Sequence, residues 1–216
     1  MIGDWCVRCL DFLIPLGCAG CEIPVASPAL FCPQCAGQLV PLDAPLRPLV
    51  SNGPTLIAAH VYAGPVKQAI HRFKFGNRPE LAGRLGRQIA IALHRVPIPP
   101  SATLVPVPLT AQRLVERGYN QAALLSGSIA RQLGLKHRPR ALRRINDASH
   151  QVGANKVARA QQVSGMFAAN ARNVANTDVV LVDDVVTTGA TANACAAALT
   201  AAGARVIAVA AIARVL

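Results

Sequence analysis

Apolar positions along the chain follow two rhythms. Unbroken runs at Val179-Val180-Leu181-Val182 and at Leu104-Val105-Pro106-Val107-Pro108 predict short strands buried on both faces. Positions three and four apart, Val66, Ala69, Ile70 and Phe73, predict a helix that ends at Lys74-Phe75-Gly76. Further helical stretches run from about Glu80 to Arg95, from Ala122 to Leu133 and, alanine-rich, from Ala190 to Ala202. Strands alternating with helices predict an α/β fold, a parallel sheet flanked by helices. The uncharged stretch from Val185 to Ala204 carries Thr187, Thr188, Gly189, Thr191, Asn193, Thr200 and Gly203, too polar for lipid, so no membrane span is expected.

Composition divides the chain in two. Of 216 residues, 52% are hydrophobic, and 22 Lys plus Arg against 10 Asp plus Glu give a net charge of +12. This excludes disorder and collagen-like repeats. Residues 1–45 carry one cation and four acids, whereas residues 46–216 carry 21 cations and six acids. So basic a body meets phosphate, as nucleic acid or as a phosphorylated small molecule, or is simply an arginine-rich solvated surface. We therefore expect a cysteine-rich module at 1–45, a linker at 46–58 and the main domain at 59–216.

Six of seven cysteines fall in the first 35 residues, as Cys6-x-x-Cys9, Cys18-x-x-Cys21 and Cys32-x-x-Cys35. The opening stretch has no basic leader and carries Asp4, Asp11 and Pro15, so the cytoplasm is expected and structural disulfides are not. Two pairs ten residues apart form knuckle turns that aim four thiolates at one point, the donor set for structural Zn2+ at Cys18, Cys21, Cys32 and Cys35. Four thiolates leave no open coordination position, so this metal serves folding or docking. Cys6 and Cys9 stay unassigned: a second metal site would want four ligands where one pair is left, and the strand-turn-helix context of a redox pair is missing. Cys195 reads as a small buried hydrophobe, and the five histidines show no ligand spacing.

The strongest chemical signal is Val179-Val180-Leu181-Val182-Asp183-Asp184-Val185-Val186-Thr187-Thr188-Gly189-Ala190-Thr191. A strand ends in two acids, then a turn of small residues opens a helix. Free N–H groups, hydroxyls and the positive helix end suit a phosphate dianion. Adjacent carboxylates at a parallel strand's carboxyl end face sugar hydroxyls.

The segment resembles the 13-residue phosphoribosyl pyrophosphate (PRPP) motif of type I phosphoribosyltransferases. That resemblance implies ribose contacts at Asp183 and Asp184, and 5-phosphate contacts at Thr187, Thr188, Gly189, Ala190 and Thr191. With the four-cysteine ribbon, Tyr62-Ala63-Gly64-Pro65-Val66, Lys74-Phe75-Gly76, Val105-Pro106-Val107-Pro108, Arg117-Gly118-Tyr119-Asn120-Gln121 and Gly165-Met166-Phe167, the order of motifs resembles the ComF family (ComFC/GntX-like). Two positions depart from its pattern: Ala148 stands where a Thr is common, and Gln162 where an Asn is common.

Phosphoribosyl transfer releases pyrophosphate through an oxocarbenium-like state, so cations must meet the leaving group. Lys74 and Arg117 are the candidates, with Arg113 a weaker one, and Mg2+ is expected to accompany PRPP. Arg159 and Gln151 fit the acceptor side or a hood. Two functions follow: a Mg2+-dependent phosphoribosyltransferase with an unidentified acceptor, linked by the family resemblance to DNA uptake in natural transformation, or a non-catalytic protein. The non-catalytic protein would be a single-stranded DNA-binding competence accessory or a PRPP-responsive regulator. A competence-machinery protein would dock on the zinc ribbon.

Overall fold

The computed structural model describes residues 16–42, 53–145 and 165–216. Cys6, Cys9, Ala148, Gln151, Arg159 and Gln162 lie outside them. The described elements are, in order, β1 (Leu16–Gly17), β2 (Pro24–Val25), α1 (Pro33–Ala36), β3 (Thr55–Val61), α2 (Gly64–Phe75), α3 (Leu81–Leu93), β4 (Thr103–Pro106), α4 (Ala111–Arg117), α5 (Gln121–Leu133), β5 (Lys136–His137) and β6 (Leu142–Arg144). There follow β7 (Phe167–Ala169), α6 (Ala171–Val174), β8 (Asp178–Val182), β9 (Val185–Val186), α7 (Ala190–Ala201) and β10 (Arg205–Arg214).

Six strands form one sheet in the order β3-β10-β8-β4-β5, with β9 also on β10. Every pairing in it is parallel. Neighbouring residues along a strand point to opposite faces, and the apolar contacts divide accordingly. On one face Val66, Ile70 and Phe73 of α2, Leu85 and Ile89 of α3, and Leu125 and Ile129 of α5 pack against Leu104, Val180 and Ala208. On the other, Cys195 and Leu199 of α7 and the antiparallel β6/β7 pair meet Val105, Val179, Leu181 and Val209. Each such fully buried side chain contributes about 1.5–3 kcal/mol. The predicted two-sided parallel sheet is what forms, and the helices begin and end within one or two positions of expectation.

Close approach explains one glycine of the helical layer. A Cβ on Gly86 of α3 would meet Ser128 Oγ of α5 at 2.8 Å, so α3 and α5 lie nearer than side chains would permit.

The cysteine ribbon packs against this body. Its β1/β2 pair is antiparallel, and Cys18, Ala19, Leu30, Phe31, Cys32 and Cys35 join the same apolar cluster as α2 and α3. Arg84 of α3 is 8% exposed and donates from Nη1 to the carbonyls of Ala29 (2.8 Å) and Gly17 (3.1 Å). A buried guanidinium on two backbone carbonyls ties α3 to the ribbon on both sides of its β1/β2 pair. Among the described residues no helix is long and apolar enough to cross a membrane.

Candidate functional site

Register places the paired acids. Val182 at the end of β8 lies between Pro106 of β4 and Ala210 of β10, so Asp183 and Asp184 emerge at the carboxyl edge of the sheet. The Asp183 N–H donates to the Ala210 carbonyl (2.9 Å), and the Ile212 N–H donates to the Asp184 carbonyl (3.1 Å). Both backbones are pinned, and the Asp183 carboxylate accepts from the Asp184 N–H at 2.8 Å. Asp184, buried at 7% exposure, accepts an ion pair from Lys74, Nζ to Oδ1 at 2.8 Å. The side chain of Lys74 is itself only 20% exposed, so neither charge is strongly screened by water. Desolvation, and next the charge of Asp184, push the Asp183 carboxyl well above the usual carboxylate range; the Asp184 N–H and Lys74 oppose the rise.

Beyond the acids, β9 rejoins β10 (Val186 beside Arg214), and the chain turns through Thr187 and Thr188 to Gly189. Gly189 holds φ +79°, the left-handed conformation that glycine adopts without strain. α7 starts at Ala190, and its first turn lines a cleft of about 50 Å³ together with Asp183, Thr187 and Thr188. The Thr188 hydroxyl accepts from the Ala190 N–H at 3.4 Å. Cys195, one turn further along α7, is fully buried and its thiol is pushed up by burial, in keeping with a packing role.

A second cavity, about 330 Å³, is lined by Lys74, Phe75, Asn77, Glu116, Arg117 and Gly118. Arg117 stacks over the Phe75 ring, 5.0 Å from its centroid, and donates from Nη1 to Gln121 Oε1 at 3.1 Å. Its Nε is buried without a partner, a donor that an anion would satisfy. Arg113, on the same α4, is exposed.

The Arg117–Gln121 motif has a structural logic that its letters alone do not reveal. Gly118 closes α4 at φ +74°. The Tyr119 hydroxyl donates to the Phe73 carbonyl at 2.6 Å. Asn120 caps α5 by accepting from the Ala123 N–H and donates from Nδ2 to the Val107 carbonyl at 3.0 Å. Gln121, 1% exposed, reaches the same Phe73 carbonyl at 3.5 Å. Four successive residues thus lock the end of β4, the start of α5 and the last turn of α2 together, which sets Lys74 and Arg117 around one cavity.

At the ribbon, the sulfurs of Cys18, Cys21, Cys32 and Cys35 all lie within 4.8 Å of one another. Burial of the Cys18 thiol acts to raise its pKa, yet N–H groups of Cys32, Cys21 and Gly20 outweigh it and hold it at about 6. Burial and the neighbouring thiols push Cys35 up to about 12. Four thiols cannot all ionise so close together without a cation, and N–H groups aimed at sulfur are what a metal thiolate accepts. The donor set fits a tetrahedral metal ion.

A model of the phosphoribosyl transferase domain matches residues 120–215, which span the loop from Asp183 to Thr191. That stretch is similar to a phosphoribosyl transferase domain. It is 30% identical over 188 residues to competence protein F of Haemophilus influenzae, covering 82% of this chain and 80% of that one. Over 190 residues it is 28% identical to the DNA utilization protein YhgH of Salmonella typhi, covering 86% and 78%. The chain belongs to the ComF family. Among solved structures, a glutamine PRPP amidotransferase from B. subtilis complexed with ADP and GMP matches at 16% identity and a TM-score of 0.42, over 62% of this chain and 28% of that one.

Proposed function

We propose that this protein binds PRPP with Mg2+ and transfers the phosphoribosyl group to a nitrogenous acceptor in the service of DNA uptake. One observation carries the reading: Lys74, far in sequence from the contiguous Asp183–Thr191 segment, meets it at one sheet edge with Nζ 2.8 Å from Asp184 Oδ1. In the proposed roles, Asp183 and Asp184 accept hydrogen bonds from the ribose hydroxyls. The N–H groups and hydroxyls of Thr187, Thr188, Gly189, Ala190 and Thr191 hold the 5-phosphate against the positive end of α7. Lys74 and Arg117 face the pyrophosphate, where negative charge grows as the C1–O bond breaks. The Mg2+ that accompanies pyrophosphate supplies further countercharge to the leaving group. Before substrate arrives, Lys74 neutralises Asp184, which keeps a buried carboxylate paired.

The four cysteines are proposed to hold Zn2+, whose contribution is structural, in a reducing, cytoplasmic setting where the thiols stay unpaired. The link to DNA uptake is drawn from the relative named competence protein F. Differential scanning of the protein with saturating Mg2+ and PRPP tests the central reading. Ligand at a hundredfold its dissociation constant adds about 2.7 kcal/mol, a rise in melting temperature of about 5–10 °C for a chain this size. The shift should vanish in Asp183→Asn/Asp184→Asn; its absence from the wild type refutes the reading.

A second reading, direct binding of single-stranded DNA, is favoured by the charge between Glu116 and Asp147. That stretch holds Arg117, Arg131, Lys136, Arg138, Arg140, Arg143 and Arg144 and no acid. Arg131, Lys136, Arg138, Arg140 and Arg143 are exposed. Binding to this strip releases counterions, so affinity should fall steeply between 50 and about 200 mM salt. A salt-independent affinity contradicts it.

A further inference from the structure

We infer that Arg72 is a positioning residue that ties the cysteine cage to the phosphoribosyl site, so that the cage metal and PRPP bind cooperatively. This rests on the PRPP reading above. Arg72 lies in the last turn of α2, two residues before Lys74. From Nη1 it donates to the carbonyls of Ala19 (2.7 Å) and Gly20 (2.6 Å), and its Nη2 pairs with Glu22 at 3.3 Å. Ala19 and Gly20 are the two residues between Cys18 and Cys21.

The contact has an electronic consequence as well as a mechanical one. Each carbonyl belongs to a peptide unit whose N–H is that of the next residue, Gly20 or Cys21. Those two N–H groups donate to the Cys18 sulfur. A guanidinium on the carbonyl side polarises both peptide units and strengthens their N–H···S bonds. Mechanically the knuckle has no slack: a Cβ on Gly20 would meet Cys35 Sγ at 2.9 Å and Pro65 Cβ of α2 at 3.0 Å.

The same turn is fixed at its other end. The Arg72 carbonyl accepts from the Gly76 N–H at 2.8 Å, and a Cβ on Gly76 would stand 2.8 Å from that oxygen. The Phe73 carbonyl accepts from Tyr119, and Lys74 pairs with Asp184. Three consecutive residues therefore face the metal cage, the Arg117–Gln121 motif and the paired acids. Losing the metal removes the thiolate charge that these peptide dipoles face and frees the knuckle, so Arg72 loses its fixed acceptors. Lys74, on the same turn, then loses its placement.

Linkage makes the inference testable without any substitution, because coupling between two ligands is reciprocal. The full-length zinc-loaded protein is titrated with a chromophoric chelator, with and without saturating Mg2+ and PRPP. The chelator concentration that removes half the zinc should rise about tenfold when PRPP is bound, within the usual range of site-to-site coupling. The metal-free protein should bind PRPP weaker by the same factor. Asp183→Asn/Asp184→Asn controls for zinc binding by PRPP itself and should show no rise. In Arg72→Met both ligands should bind with superimposable chelator curves, and Arg72→Lys, which keeps a donor, should recover part of the coupling. If Arg72→Met does not retain zinc, the wild-type pair of curves decides. A wild type that binds PRPP while its chelator curve stays put overturns the coupling alone; a wild type that binds no PRPP overturns the site reading and the coupling with it.

Discussion

The ribbon and the tip of the sheet are held by different physics. At the tip, Asp183 and Asp184 sit on a ladder of parallel strands whose residues Val180, Leu181 and Val182 are fully buried. In the ribbon, two-residue strands and a four-residue helix surround four sulfurs, and arginines from α2 and α3 satisfy the loop carbonyls. Buried area stabilises the first without help. The second buries little, and a metal ion on the four sulfurs would offset the deficit. One region should therefore withstand a chelator and fail on core truncation, and the other should reverse that order.

The largest effect expected is on the ribbon. Cys32→Ser, at a residue whose sulfur accepts the Cys35 N–H and whose own N–H donates to Cys18, should take bound zinc from one equivalent to none by atomic absorption. Far-UV dichroism of the sheet domain should persist; its collapse would mean the two regions share one fate. Next, Leu181→Ala in β8 should cost about 2–5 kcal/mol in urea unfolding and leave zinc stoichiometry at one. A smaller effect is expected at Asn120→Ala, which removes both the α5 cap and the bond to Val107: about 1 kcal/mol, with weaker PRPP binding.

A further expectation is a pH slope. The folded-state pKa of Asp183 is raised to about 7, above its unfolded value of about 3.9. A group shifted this way contributes stability that is fully present below the unfolded value and lost as pH rises through the folded one. Ligand-free melting temperature should therefore drift down between pH 5 and about 8, and PRPP binding should strengthen over the same interval as the carboxylate forms. Asp183→Asn should flatten both trends.

Legibility from sequence followed contiguity. Strand, acids, loop and helix from Val179 to Thr191 are adjacent residues, so their pattern survives in one dimension, and both cysteine pairs are short motifs. The central strand β10 was not legible. Its Ala208, Ala210, Ala211 and Ala213 have weak strand preference, and its pairing is decided by β3, β8 and β9 beside it. Nor did any signal mark Arg72 or Arg84, whose carbonyl partners lie 52 to 67 positions away. The sequence marks Lys74 only as a candidate cation for pyrophosphate, and its pairing with Asp184 is a fact of three dimensions. The readings at Gln151 and Arg159 fall outside the described residues.

Isothermal titration of Mg2+-PRPP into the zinc-loaded protein tests the central claim most directly. One saturable site in the wild type, abolished in Asp183→Asn/Asp184→Asn and weakened in Lys74→Met, is the predicted result. Binding that survives the double substitution unchanged, or is absent from the wild type, would contradict it.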